Sequence, residues 1–192
     1  MGQKTILFLH GFASSAQSTK ARYLGYKLRA VPGVAYHAVD FNPTRKDFRY
    51  MTTTGLIDRL RQYVVDQQLG TFAIIGSSYG GLVAVHYAQR FGGVERMLLL
   101  APGLRWLSGG LAEEQLAAWE QAGAAPVFHE AFQEEILVSY DLQVDGLRYL
   151  EPIPPPAPMT IIHGRRDMTV PTDDSRAYAV AYPDRVHLIE VE

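Results

Sequence analysis

Short runs of consecutive apolar residues alternate with longer stretches in which apolar positions recur at helical spacing. The short runs are Thr5–His10, Val34–Asp40, Phe72–Gly76, Arg96–Ala101, Met159–His163 and Val186–Val191. Several are apolar almost throughout, as strands covered on both faces must be. Between them, Gly55–Leu69 places Leu56, Ile57, Leu60, Tyr63 and Val64 on one helical face. Tyr79–Phe91 reads as a largely apolar helix, of the kind packed under a sheet. Thr172–Tyr182 opens on a polar residue followed by Asp173 and Asp174, which suits a helix N-terminus. Strand and helix in alternation predict an α/β fold with a mainly parallel sheet flanked by helices.

From Leu104 to Pro158 the alternation stops. A helix is expected at Ala112–Ala122, followed by "FHEAFQEEILVSY" and the proline-rich "EPIPPPAP". Trp106, Trp119, Phe128, Phe132 and Tyr140 lie in this stretch. A long insertion of large apolar residues between two strands of such a sheet reads as a cap, residues 104–158, within a single domain spanning 1–192. Trp106 and Trp119 are the residues expected to line an apolar substrate pocket.

Composition narrows the classes. The chain has 192 residues, 47% hydrophobic and 20% charged, enough for one domain with a real core. A net charge of -2 with no basic stripe argues against a nucleic-acid partner. The absence of cysteine removes disulfides, thiolate metal sites and a cysteine nucleophile together. The early run "TILFLH" is too short for a membrane span or a signal-peptide core, so a cytoplasmic location is expected.

The chemistry concentrates in three motifs. "GSSYGG" (76–81) sits between a strand and a helix. A serine with glycine two places on either side suits a tight turn that lifts its Oγ clear of the sheet. Side chains at Gly76 and Gly80 would collide with neighbouring backbone. Ser78 is thus the candidate nucleophile, and the backbone N–H of Tyr79 a candidate oxyanion donor. "HGF" (10–12) ends the first strand, which makes the N–H of Phe12 the second candidate donor, with His10 holding the loop. "HGRRDMTVP" (163–171) ends the fifth predicted strand, and Asp167 there could orient a histidine and stabilise its protonated form. His163 would buttress that loop.

In this chain order the motifs resemble the α/β-hydrolase superfamily. "LFLHGFASSAQSTKA" is similar to the start of small YqiA-type esterases, and "GSSYGG" with "HGRRDMTVP" resembles the acyl-glucuronide esterase and palmitoyl thioesterase branch. The resemblance implies a Ser-Asp-His triad, hydrolysis of a small-molecule acyl ester or thioester through an acyl-enzyme, and no metal or cofactor. It places the histidine in a loop just after the last strand. That strand ends at Val191 and the sequence at Glu192, so a C-terminal truncation is expected, with the base a few residues further on. His187 lies inside the strand, where register fixes its direction. His86 lies roughly 12 Å along the helix from Ser78 at about 1.5 Å per residue. His37 is in an early strand and His129 in the cap. A non-catalytic binding or scaffold protein on the same fold is the alternative.

Overall fold

The computed structural model describes residues 3–105 and 111–192. Six strands form one sheet: β1 (Lys4–Leu9), β2 (Val34–Val39), β3 (Phe72–Ser77), β4 (Val94–Leu100), β7 (Met159–Gly164) and β8 (Val186–Val191), in the order β2-β1-β3-β4-β7-β8. Every neighbouring pair is parallel. The predicted strands therefore all form, to within two residues at each end. Parallel neighbours need crossovers. These are α1 (Thr19–Arg29), α2 (Arg45–Arg49), α3 (Thr53–Asp66), α4 (Tyr79–Phe91) and α7 (Thr172–Ala181).

Side chains alternate across the sheet and sort into two layers. Leu7, Leu9, Ile74, Leu99 and Ile161 face α3 and α4 in the larger core. Phe8, Tyr36 and Ile75 face the other way with Ala21 of α1. Helix α4 is buried from Tyr79 through Val85, which accounts for its nearly unbroken apolar sequence. Helices α1 and α2 have no counterpart in the hydrophobic pattern. The buried residues of α1 are Ala21 and Gly25, too small to mark a face.

The insertion folds as α5 (Glu113–Ala122), an antiparallel hairpin of β5 (Ala124–His129) and β6 (Glu134–Ser139), and α6 (Asp141–Gly146). The hairpin was not expected from the sequence. Pro126 and the glutamates at 130, 134 and 135 hide its alternation, yet Pro126 is tolerated because β5 pairs on one edge only. Trp119, Ile136, Val138 and Leu142 join the main core. Asp145 ties α6 to the start of α3, accepting from the Thr54 amide at 2.7 Å and the Thr54 hydroxyl at 2.6 Å. Among the described residues no helix is long and apolar enough to cross a membrane.

Candidate active site

The parallel register brings the ends of β1 and β3 side by side, Leu9 against Gly76. The chain then passes into His10–Phe12 on one strand and Ser77–Ser78 on the other, both at the carboxyl edge of the sheet, where open α/β sheets bind ligands. Ser78 has φ 51° and ψ −119°. A non-glycine residue there is strained, by an amount of order 1–3 kcal/mol, and persists because its surroundings fix it. Its N–H donates to Leu100 O at 2.9 Å, and its carbonyl accepts from Gly81 N at 2.8 Å and Gly103 N at 3.1 Å. The glycines are there for space. A Cβ on Gly80 would lie 2.4 Å from Leu9 O, and one on Gly76 would lie 2.8 Å from Gly80 O. Gly11 lets the first loop approach, since a Cβ there would stand 3.3 Å from that of Ser78.

Ser78 precedes the first residue of α4 and makes no side-chain cap to it. It is partly exposed and lines a cavity of about 390 Å³ with His10, Gly11, Phe12, Lys20, Ser77 and Thr169. Phe12 packs on Phe48 at 5.4 Å and edge-on to the Tyr79 ring at 6.3 Å. Tyr79 itself is buried, its hydroxyl 2.7 Å from that of Thr53, and burial pushes its phenol well above the ordinary range.

His10 is the loop holder. The Phe41 amide donates to Nε2 at 3.1 Å, which leaves the proton on Nδ1 to donate to Gly11 O at 2.8 Å. The cap reinforces the same loop from outside. Glu130 N donates to Ala13 O at 3.1 Å, and the His129 ring stands 4.5 Å from Phe48.

Asp167 is set in its loop by two amides. Thr169 N and Val170 N both donate to Oδ1 at 2.9 Å, and Oδ2 lies 3.8 Å from His163 Nε2. His163 has both ring nitrogens engaged, with Ser175 Oγ and with Val170 O, each at 2.8 Å. Arg165 and Arg166 pair with Glu192. Thr169, two residues beyond Asp167, reaches the Ser78 cavity.

The tryptophans do not complete this picture. Trp106 lies outside the described residues. Trp119 is packed inside the cap, its indole N–H donating to Val138 O at 2.9 Å and its ring edge-on to Tyr140. It is not among the residues lining the Ser78 cavity. An indole N–H needs a partner when buried, and the hairpin carbonyl supplies it. Sequence reasoning missed Lys20, whose Nζ donates to Ser77 Oγ at 3.1 Å. The available signal was Ser18 as a helix cap placing Lys20 in the first turn after the "HGF" loop.

Residues 5–190 match "Uncharacterised protein family (UPF0227)". The chain belongs to UPF0227. No curated protein matches it. Solved structures similar to this UPF0227 chain are α/β hydrolases. Alpha/beta hydrolase domain-containing protein 10 from mouse is 20% identical with a TM-score of 0.74, covering 100% of this chain and 80% of its own. Est1E from Butyrivibrio proteoclasticus, solved with ferulic acid, is 17% identical at TM-score 0.75, covering 99% and 80%. The monoacylglycerol lipase of Paleococcus ferrophilus is 15% identical at TM-score 0.79, covering 100% and 86%. Together these establish the α/β-hydrolase fold for the UPF0227 chain. Among its described residues no cluster of three or more His, Asp or Glu side chains could hold a metal ion.

Proposed function

We propose that the chain is a serine hydrolase that cleaves carboxylic esters or thioesters of small molecules through an acyl-enzyme. The observation that carries the reading is Ser78, held at φ 51° on the rim of the cavity by glycines that a Cβ would drive into backbone. In this scheme Ser78 Oγ attacks the carbonyl carbon and gives its proton to a base. The carbonyl electrons move to oxygen, where the N–H groups of Phe12 and Tyr79 stabilise the anion. Collapse expels the alcohol or thiol, which takes the proton from the base, and water then releases the acid by the same steps in reverse order. No step uses a metal or cofactor.

The base is a histidine oriented by Asp167. None of the chain's own six is placed for it. His10 and His163 have both nitrogens committed. His37 bonds the Tyr63 hydroxyl, His86 packs on Tyr149, His129 is fully buried, and His187 pairs inside β8. The resemblance puts the base after the last strand, and β8 ends beside the Asp167 loop, with Arg165 N bonded to Val191 O at 2.9 Å. That none of the six is placed for this role supports a second reading, a non-catalytic binding protein on this fold.

A fluorophosphonate probe separates them. Ser78 is expected to carry the adduct, and Ser78→Ala to lose it while its unfolding midpoint is retained. A folded wild-type protein whose Ser78 stays unlabelled rejects the hydrolase.

A further inference from the structure

The Ser78 cavity has a charge that the mechanism above does not use. Lys20 is the second residue of α1, and it reaches the cavity with Ser18 and Thr19 from the same turn. The residue as a whole is exposed, but its ammonium is anchored, Nζ donating to Ser77 Oγ at 3.1 Å. Ser77 is buried at 3% exposure and is the immediate neighbour of Ser78. An ammonium has three N–H donors and the Ser77 hydroxyl takes one. The others are available to a guest.

Among the described residues no carboxylate lies within 4.0 Å of Lys20 Nζ. The first turn of α1 contains no acidic residue. The residues that line the cavity with Lys20 include no aspartate or glutamate, and His10 among them accepts from the Phe41 amide and lies 3.5 Å from Asp40 Oδ1. The remaining polar lining is hydroxyl: Ser14, Ser18, Thr19, Ser77, Ser78 and Thr169. An anion here would meet a fixed cation with neutral donors around it, beside the apolar faces of Phe8 and Phe12.

From this we infer that the substrate carries an anionic group, a carboxylate or a phosphate, on a short arm from the scissile carbonyl, and that Lys20 is the residue that binds it. The inference rests on Ser78 being the nucleophile, since that places the carbonyl beside Ser77. Lys20 then acts on substrate choice and alignment, and it takes no proton from Ser78.

Inert ketones of matched size test this without turnover. In one pair levulinate is compared with levulinamide, in the other dihydroxyacetone phosphate with dihydroxyacetone. Each is titrated at low ionic strength, where an exposed cation is least screened, into isotope-labelled protein. The amide signals of Gly11, Phe12, Ser77 and Ser78 are followed by NMR. In at least one pair the anion should bind about tenfold more tightly than its neutral partner, as a charge-assisted hydrogen bond would give. The pair that responds says whether the group is a carboxylate or a phosphate. Lys20→Gln and Lys20→Met should each abolish the preference, and Lys20→Arg should keep it. Equal binding within both pairs, or a preference that survives Lys20→Gln, overturns the inference. Probe labelling of the wild type is read separately. An unlabelled Ser78 with the anion preference intact would sink the nucleophile and leave the anion site standing, and a labelled Ser78 without the preference would do the reverse.

Discussion

His86 shows how one side chain turns burial into a pH dependence. It lies on the face of α4 toward the cap, its ring edge-on to Tyr149 at 4.8 Å. Burial penalises the charged imidazolium and pulls its pKa down from 6.5 to about 4. The unfolded chain therefore binds the proton first on acidification. The stability tied to neutral His86 is fully present above pH 6.5 and is lost as the pH falls toward 4. Discounted for its partial exposure, the loss is on the order of 2 kcal/mol. Urea midpoints measured at neutral pH and near pH 4 should converge by about that amount for His86→Phe, which keeps a ring against Tyr149 and cannot titrate. An acid-induced loss equal in the variant and the wild type would show that other groups carry it. The tight turn at Ser78 was legible in the sequence, because the positions around it are dictated by local sterics. Lys20 was not, because its partner Ser77 is 57 positions away in sequence.

The strand-turn-helix from Phe72 to Phe91 is the element on which the site depends. Its geometry requires the backbone of β1 to pass within contact distance of Gly80. Gly80→Ala should destabilise the fold by about 3 kcal/mol, the upper part of the range for overpacking, and should lower probe labelling by shifting Ser78. Gly70→Ala is the control. A Cβ there meets nothing within 4 Å, so its urea midpoint should stay within about 0.5 kcal/mol of the wild type. Equal effects of the two substitutions would remove close approach as the reason for Gly80. The cap was read only in part. Its helix was visible from residue spacing, whereas its hairpin was concealed by Pro126 and a cluster of glutamates. The role of Trp119 depended on a carbonyl of β6 that no local pattern reveals.

At the scale of the whole molecule, stability is graded across the sheet. Strands β1, β3 and β4 are paired on both sides and enclosed by the larger core, whereas β8 is an edge with exposed Ile189 and Val191. Hydrogen exchange should find the amides of Leu7–Leu9, Ile74 and Leu99 opening only on global unfolding. Those of Leu188–Val191 should exchange at least about tenfold faster through local opening. Uniform protection across the six strands would contradict this grading. The amino-acid sequence by itself determined the six strands, the serine turn and the loops that flank it, because short apolar runs and backbone crowding constrain residues within a few positions of each other. The strand order was settled only in three dimensions, as were the merging of the cap with the main core and the meeting of Lys20 with Ser77. So was the position of α1, since Ala21 and Gly25 earn their places by fitting beneath Tyr36. These depend on which distant surfaces come to share one interior, and small or polar residues carry no periodic signal of the partner they will meet.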